Sequence, residues 1–206
     1  MFKKTALILS ACLVLTATAF AEVTPKVVKK GNLDLTYPVF SFENKAAEKK
    51  ATKYVQDYID KEVKAYQRHN PINISADYKV IKEREWYISL EVTTYEYTGG
   101  AHGMYYTAGL NFDKMTGELM QYSDFNAPKL TKEELYNGIK NGTYMVFCND
   151  RKTPSSAPFL PCLDKFRFTK NFIVDPEGGG VYLMYQPYEL DCYAAGVTYV
   201  GLIYYG

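Results

Sequence analysis

Residues 86–112 read WYISLEVTTYEYTGGAHGMYYTAGLNF, and this stretch contains the strongest strand alternation of the chain. Apolar Ile88, Leu90 and Val92 alternate with polar residues before a glycine-rich segment, and a second strand-like run, 105–112, follows it. Alternation with a period of two is the pattern of a half-buried β-strand. Two such runs joined by a short glycine-rich loop predict an antiparallel β-hairpin.

A helix is predicted on each side of this hairpin. From Asn44 to about Gln67, apolar residues recur at spacings of three and four, which indicates an amphipathic helix with Asn44 as its N-cap. A second helix is predicted from Thr131 to about Val146, because Thr131 and Glu134 have the spacing of a capping box.

The other strand patterns complete an α+β fold, in which two main helices pack on one face of an antiparallel β-sheet. We expect residues 22–206 to form a single domain, with the polar, Lys-rich segment 22–32 as a flexible lead-in. The remaining strand patterns lie at 33–37, 75–82, 119–122, 171–174, 181–186 and 197–204, with a turn at 176–180.

The N-terminus has the pattern of a secretory signal peptide. Lys3 and Lys4 precede an uncharged apolar run, 6–20, and small residues end at Ala21. Cleavage after Ala21 would leave residues 22–206, with 22 basic and 23 acidic residues. This balance does not favour nucleic acid or an anionic membrane as partner. We therefore predict an exported protein, periplasmic or extracellular, with no transmembrane anchor in the mature chain.

An alternative lies inside the signal peptide. Residues 9–12 read LSAC, which has the form of a lipoprotein box and would make Cys12 a lipid attachment site. The apolar run continues through 13–15, whereas a lipoprotein normally becomes polar after this cysteine. Cleavage after Ala21 is the favoured interpretation.

Three cysteines remain after cleavage, and an oxidising compartment favours a disulfide between two of them. Cys148 and Cys162 are the favoured pair because the segment between them holds three prolines and little periodic structure. Closing this loop of about 15 residues would contribute about 3 kcal/mol. Cys192 would then be an unpaired, buried thiol. A three-cysteine metal site is less favoured, since no C-x-x-C pair and no nearby His accompany it.

The sequence contains no recognisable catalytic motif. Only two histidines, His69 and His102, are present, and we predict no metal, no cofactor and no catalytic residue. His102 lies in the glycine-rich loop, where polar side chains are often functional, so a hydrolase that uses His102 stays open as an alternative.

Tyrosine enrichment has two interpretations: tyrosine is a good strand residue with one polar end, or its side chains form a binding surface. The chain has 20 tyrosines, and its last 36 residues contain seven of them, four acidic residues and no Lys or Arg. Such amphipathic aromatic surfaces suit sugars or a protein partner. The predicted binding residues are Tyr95, Tyr97, Thr98, Gly99, Gly100, His102, Tyr188, Glu189 and Tyr193.

Several short motifs stand out in the chain: LTYPVF at 35–40, YEYTGGAHG at 95–103, NFD at 111–113, TG at 116–117, PYEL at 187–190 and YAAG at 193–196. The first resembles the DUF4163 segment, and the others resemble motifs of the DUF3298 domain family that this segment often precedes. The resemblance implies an extracytoplasmic α+β domain of bacterial envelope proteins. Such a domain forms the outer part of an anti-sigma factor that binds lysozyme, and it also lies beside the catalytic domain of a peptidoglycan deacetylase.

The residue patterns and the resemblance together leave three functional hypotheses. The first is a non-catalytic envelope or periplasmic binding module for a lysozyme-like protein or peptidoglycan. The second is a hydrolase that uses His102, and the third is an exported structural protein without a ligand. The chain lacks a deacetylase domain with a metal-binding His set, so deacetylase activity is not carried over.

Overall fold

The computed structural model describes residues 22–149, 154–155, 160–174 and 180–202. Within these residues the chain forms two α-helices and nine β-strands, which confirms the predicted α+β class. In chain order the elements are β1 (Glu22–Lys30), β2 (Leu33–Ser41), α1 (Lys45–Tyr66), β3 (Asn73–Glu83), β4 (Tyr87–Tyr97), β5 (Met104–Asp113), α2 (Lys132–Lys140), β6 (Met145–Phe147), β7 (Phe172–Val174), β8 (Val181–Tyr185) and β9 (Thr198–Leu202).

The strands form two sheets rather than the one that the sequence predicts. The first has the order β1-β2-β3-β4-β5 and the second has the order β6-β9-β8-β7. The first sheet ends at β5, whose outer edge is bonded by the backbone of residues 118–120 at one end and by side-chain amides farther along. Asn171 accepts a hydrogen bond from Gly109 N and donates to Thr107 O, and the Gln186 amide bonds both Thr107 N and Thr107 O.

The two sheets pack face to face, and each carries one helix on its outer face. In β4, Ile88, Leu90 and Val92 pack under α1, while the residues between them face the second sheet. In the second sheet, Leu183 and Val200 pack with α2. The helices therefore lie on opposite sides of the sandwich and not on one face of a single sheet.

The interface between the sheets is partly polar, and two of its buried side chains donate hydrogen bonds across it. The Tyr199 hydroxyl donates to the Glu91 carboxylate at 2.8 Å, and the Asn111 amide donates to Phe172 O at 2.9 Å. Because an unsatisfied buried polar group destabilises the fold, these bonds fix how the sheets register against each other.

Both predicted helices are present, and α2 is shorter than expected. Asn44 caps α1 by accepting from Ala46 N, and Thr131 and Glu134 form the predicted capping box of α2. The second helix ends at Lys140 instead of near residue 146. Gly142, two residues later, has φ +74°, a conformation that ends helices and that glycine adopts without steric cost.

The predicted flexible lead-in at 22–32 is wrong. Residues 22–30 form β1, which pairs antiparallel with all nine residues of β2. Val23 and Val28 pack against the core under α1, so the lysines around them are the exposed residues of an edge strand rather than signs of disorder.

The predicted disulfide is not formed: among the described residues, no disulfide joins Cys148, Cys162 or Cys192. Phe147, next to Cys148, forms a β-bridge with Pro154. Cys162 opens a separate turn, and its carbonyl accepts backbone hydrogen bonds from Lys165 and Phe166. The two cysteines are therefore held by different elements.

Cys192, predicted to be buried, is exposed at the start of a short 3-10 helix. The signal peptide, Cys12 and most of the turn predicted at 176–180 lie outside the described residues. Neither described helix is apolar and long enough to cross a bilayer.

Candidate functional site

The glycine-rich loop joins β4 to β5, as the sequence predicts, and is closed by local hydrogen bonds. Gly99 and Gly100 have φ values of +108° and +96°. The Tyr97 hydroxyl donates to Gly100 O at 2.9 Å, and Ile72 N donates to Tyr97 O at 2.6 Å. The loop is therefore held in place from both sides.

Gly103 is the point at which this loop meets the C-terminal segment. Its carbonyl accepts hydrogen bonds from His102 Nδ1 at 2.9 Å and from the Tyr193 hydroxyl at 2.8 Å. A side chain at residue 103 would clash with Glu96 O and with the Tyr95 ring. This close approach requires glycine, and it brings residues far apart in sequence to one place.

Aromatic rings surround Tyr193. The His102 imidazole stacks on the Tyr193 ring, with 3.9 Å between the centroids and 21° between the planes. Tyr105 contacts Tyr193 edge-on at 5.7 Å, and Tyr188 lies 5.9 Å away. Because His102 and Tyr193 also donate hydrogen bonds to Gly103 O, both rings of the stack are anchored to the same carbonyl.

Residues 186–189 form a β-turn that presents Tyr188. Glu189 N donates to Gln186 O at 3.0 Å, with Pro187 and Tyr188 as the central residues. The Glu189 carboxylate accepts from Gln186 N at 2.6 Å, and Tyr188 N donates to Asp191 O at 2.9 Å. Tyr188 has φ +72°, and 59% of its surface is exposed.

The predicted binding residues therefore fall into two groups. Some shape the loop or the turn, and the others lie around Tyr193. Thr98, which is exposed, lies beside Gly99 and Gly100 in the loop, and Glu189 closes the turn that carries Tyr188. The residues brought together around Tyr193 are Tyr95, His102 and Tyr188.

Sequence reasoning missed three residues of this surface. Tyr105 lies directly opposite Tyr95 in the β4–β5 register, so its position follows once the hairpin register is known. Gly103 and Gln186 carry no periodic signal, because their roles depend on contacts with distant parts of the chain.

The phenols of Tyr105, Tyr106 and Tyr193 stay protonated at neutral pH. Burial raises the pKa of Tyr105 and of Tyr193, and burial together with the nearby carboxylates of Glu189 and Glu62 raises the pKa of Tyr106. Protonated phenols donate hydrogen bonds, as the Tyr193 hydroxyl does to Gly103 O.

The His102 ring bonds the backbone of its own loop. Within the described ranges, no hydrogen bond joins its ring to a carboxylate or a hydroxyl, and Nδ1 is engaged by a backbone carbonyl. In the part of the chain that the structure describes, no group of three or more His, Cys, Asp or Glu side chains is placed to hold a metal ion.

Comparisons with known proteins agree with this fold. Residues 26–105 match the family model described as deacetylase PdaC. The structure is similar to that of a DUF3298 family protein from Pseudomonas aeruginosa PAO1, with a TM-score of 0.54 and 16% identity over 89% of each chain. It is also similar to a DUF3298 family member from Bacteroides fragilis NCTC 9343, with a TM-score of 0.50 and 19% identity over 89% of this chain and 90% of that one. No curated protein matches the sequence.

The chain is thus an α+β protein with a two-sheet sandwich and an aromatic surface at one end of its central hairpin. Its fold is the one found in solved DUF3298 family proteins.

Proposed function

We propose that this chain is a non-catalytic binding module exported to the bacterial cell envelope, and that its aromatic surface binds a cell-wall glycan. The observation that carries the proposal is the set of rings held in fixed positions around Tyr193, from which His102 and Tyr188 project into solvent. Rigid aromatic rings offer large contact area at low conformational cost and can pack against the apolar faces of sugar rings.

Membership of the DUF3298 family, with a DUF4163-like N-terminal segment, is part of this proposal. The shared fold and the match of residues 26–105 to the deacetylase PdaC model support it. So do the motifs, because YEYTGGAHG at 95–103 builds the loop and PYEL at 187–190 builds the turn that presents Tyr188.

Export is supported by the signal-peptide pattern of residues 1–21. Cleavage after Ala21 would leave β1 intact, because this strand begins at Glu22. The N-terminal sequence of the protein recovered from outside the cytoplasm tests this point. A start at Glu22 supports the proposal, whereas a lipid-modified Cys12 would replace it with a lipoprotein.

A lysozyme-like protein is the second candidate ligand. The acidic character of the C-terminal segment favours it, because Glu189 is exposed, Asp191 is half-buried beside the aromatic rings, and residues 171–206 contain no Lys or Arg. Such a surface is complementary to a basic protein partner.

Co-sedimentation with purified, insoluble peptidoglycan tests the glycan proposal, and immobilised lysozyme tests the second candidate. We expect residues 22–206 to sediment with peptidoglycan and His102→Ala to bind at least about tenfold more weakly, as truncation of a central contact residue does. Trp86→Ala is the matched control, since Trp86 is 46% exposed and lies at the opposite end of β4.

The peptidoglycan and lysozyme experiments distinguish the two candidate ligands. Binding to peptidoglycan that depends on His102 and not on Trp86 supports the glycan. Binding to lysozyme alone would replace the glycan with a protein ligand, and binding to neither would contradict the proposal.

A further inference from the structure

Tyr188 occupies a backbone conformation that its residue type disfavours. Its φ is +72°, and the other described residues with positive φ are glycines and two asparagines, Asn70 and Asn126. A left-handed conformation brings the Cβ of an L-residue close to the following carbonyl oxygen, and only glycine, asparagine and aspartate adopt it readily.

The surrounding turn makes this choice of residue more unusual. Pro187 and Tyr188 are the central residues of a β-turn closed by the hydrogen bond from Glu189 N to Gln186 O. Proline at the first central position followed by positive φ at the second is the pattern of a type II turn, in which glycine or asparagine normally takes the second position.

The fold holds the strained residue in place. The Glu189 carboxylate accepts a hydrogen bond from Gln186 N, and Tyr188 N donates one to Asp191 O. The Gln186 side-chain amide bonds both the N and the O of Thr107 in β5. Strain of this kind persists where the surrounding structure over-determines it, and it often marks a functional residue.

Packing does not account for the tyrosine. Its ring lies 5.9 Å from that of Tyr193, yet 59% of the residue is exposed, compared with 41% for Tyr106. A tyrosine that served only to fill space would be buried. The exposed ring is therefore available for contacts outside the folded chain.

We propose that Tyr188 is the main contact residue of the binding surface, and that the turn carries backbone strain to hold its ring outward. This inference rests on the proposed function, since it assigns the direct contact within that surface. Gln186, Glu189 and Asp191 then position the turn. Tyr188 makes the main ligand contact, with His102, stacked on Tyr193, as a second contact.

Two measurements on Tyr188→Ala and Tyr188→Asn test this assignment. Both variants lose the ring, but asparagine tolerates the left-handed conformation and alanine does not. We expect the asparagine variant to unfold about 2–4 °C above the alanine variant. Both should bind peptidoglycan at least about tenfold more weakly than the unmodified chain.

Tyr54 provides the matched control. It is 42% exposed and lies within α1, where alanine is the better helix former. We therefore expect Tyr54→Ala to be more stable than Tyr54→Asn, the reverse of the order at Tyr188. Both Tyr54 variants should bind peptidoglycan as the unmodified chain does.

The outcomes separate this inference from the proposed function. Undiminished peptidoglycan binding by Tyr188→Asn would overturn the contact role of Tyr188 alone. An alanine variant as stable as the asparagine variant would overturn the strain on which it rests. If the unmodified chain bound neither peptidoglycan nor lysozyme, the proposed function would fail and the contact role with it, although the stability order would still report the strain.

Discussion

Tyr193 and His102 stack face to face at 3.9 Å and donate hydrogen bonds to the same carbonyl, that of Gly103. Tyr193 belongs to the C-terminal segment and His102 to the central hairpin, 91 positions earlier in the chain. This shared acceptor links the two sheets at the surface that we propose binds the ligand.

Tyr193→Phe should keep the stack and remove one of the two donors to Gly103 O. We expect a loss of about 1 kcal/mol in the free energy of unfolding, the usual value of one hydrogen bond. Urea unfolding measures this loss of stability. Tyr37→Phe is the control because it also removes one tyrosine hydroxyl, which donates to Asp60 at 2.9 Å far from the aromatic surface. Both variants should lose stability, but Tyr193→Phe alone should weaken ligand binding. Equal binding by both would show that this hydrogen bond does not position the surface.

Gly103→Ala should destabilise the fold more than the addition of a single methyl group suggests. The added methyl would meet Glu96 O and the Tyr95 ring, so we expect a loss of about 1–3 kcal/mol, as overpacking usually costs. Gly31→Ala is the comparison, since no atom lies within 4 Å of its Cβ position and only its positive φ opposes the change. Thermal unfolding should show a lower midpoint for Gly103→Ala than for Gly31→Ala. A harmless Gly103→Ala would contradict the close approach.

Tyr199→Phe tests the interface between the sheets. The change removes the hydroxyl that donates to the buried Glu91 carboxylate at 2.8 Å. Removing the donor to a buried charged group costs about 1–3 kcal/mol, so we expect a loss of this order in the free energy of unfolding. Chemical unfolding measures it. A loss well below that of Tyr193→Phe would mean that the Glu91 contact does not help to hold the sheets together.

Alkaline pH should destabilise the protein partly through Tyr37. Burial, and then the hydrogen bond to Asp60, raise the pKa of Tyr37 from 10.0 to about 12. The folded state therefore holds the phenol proton more tightly, so this stabilisation is complete below pH 10 and is lost as the pH rises toward 12. Unfolding free energies measured between pH 9 and 12 should fall less steeply for Tyr37→Phe than for the unmodified chain. Identical slopes would refute the assignment.

The cysteines should behave as thiols. Cys162 and Cys192 are exposed and Cys148 is half-buried. In the folded chain 22–206, we expect two thiols to react quickly with Ellman's reagent and the third to react more slowly or after unfolding. A disulfide between Cys148 and Cys162 would instead leave a single reactive thiol, and its detection would restore the bond that the sequence predicts.

Local patterns predicted much of this fold, because they reflect short-range physics. Strict alternation in 88–92 gave the central hairpin, and the capping residues Asn44 and Thr131 gave both helix starts. The edge strand β1 was missed since its lysines and Pro25 dilute the alternation, although Val23 and Val28 reach the core.

The arrangement of the sheets and of the site depends on contacts that no local pattern records. At Thr107 and Gly109, the outer edge of β5 is bonded by the side-chain amides of Asn171 and Gln186 in place of another strand. The positive φ of Tyr188 likewise depends on the turn that Glu189 closes, and the sequence around residue 188 does not predict it.

Glycan binding by the aromatic surface is tested most directly by an NMR titration of the chain 22–206. Its tyrosine rings are labelled, and soluble peptidoglycan fragments are added. We expect the largest shift changes at Tyr188, smaller ones at Tyr193 and Tyr105, and none at Tyr54 on α1. Shift changes centred on Tyr54, or no change at any tyrosine, would contradict the central claim that the aromatic surface around Tyr193 binds a cell-wall glycan.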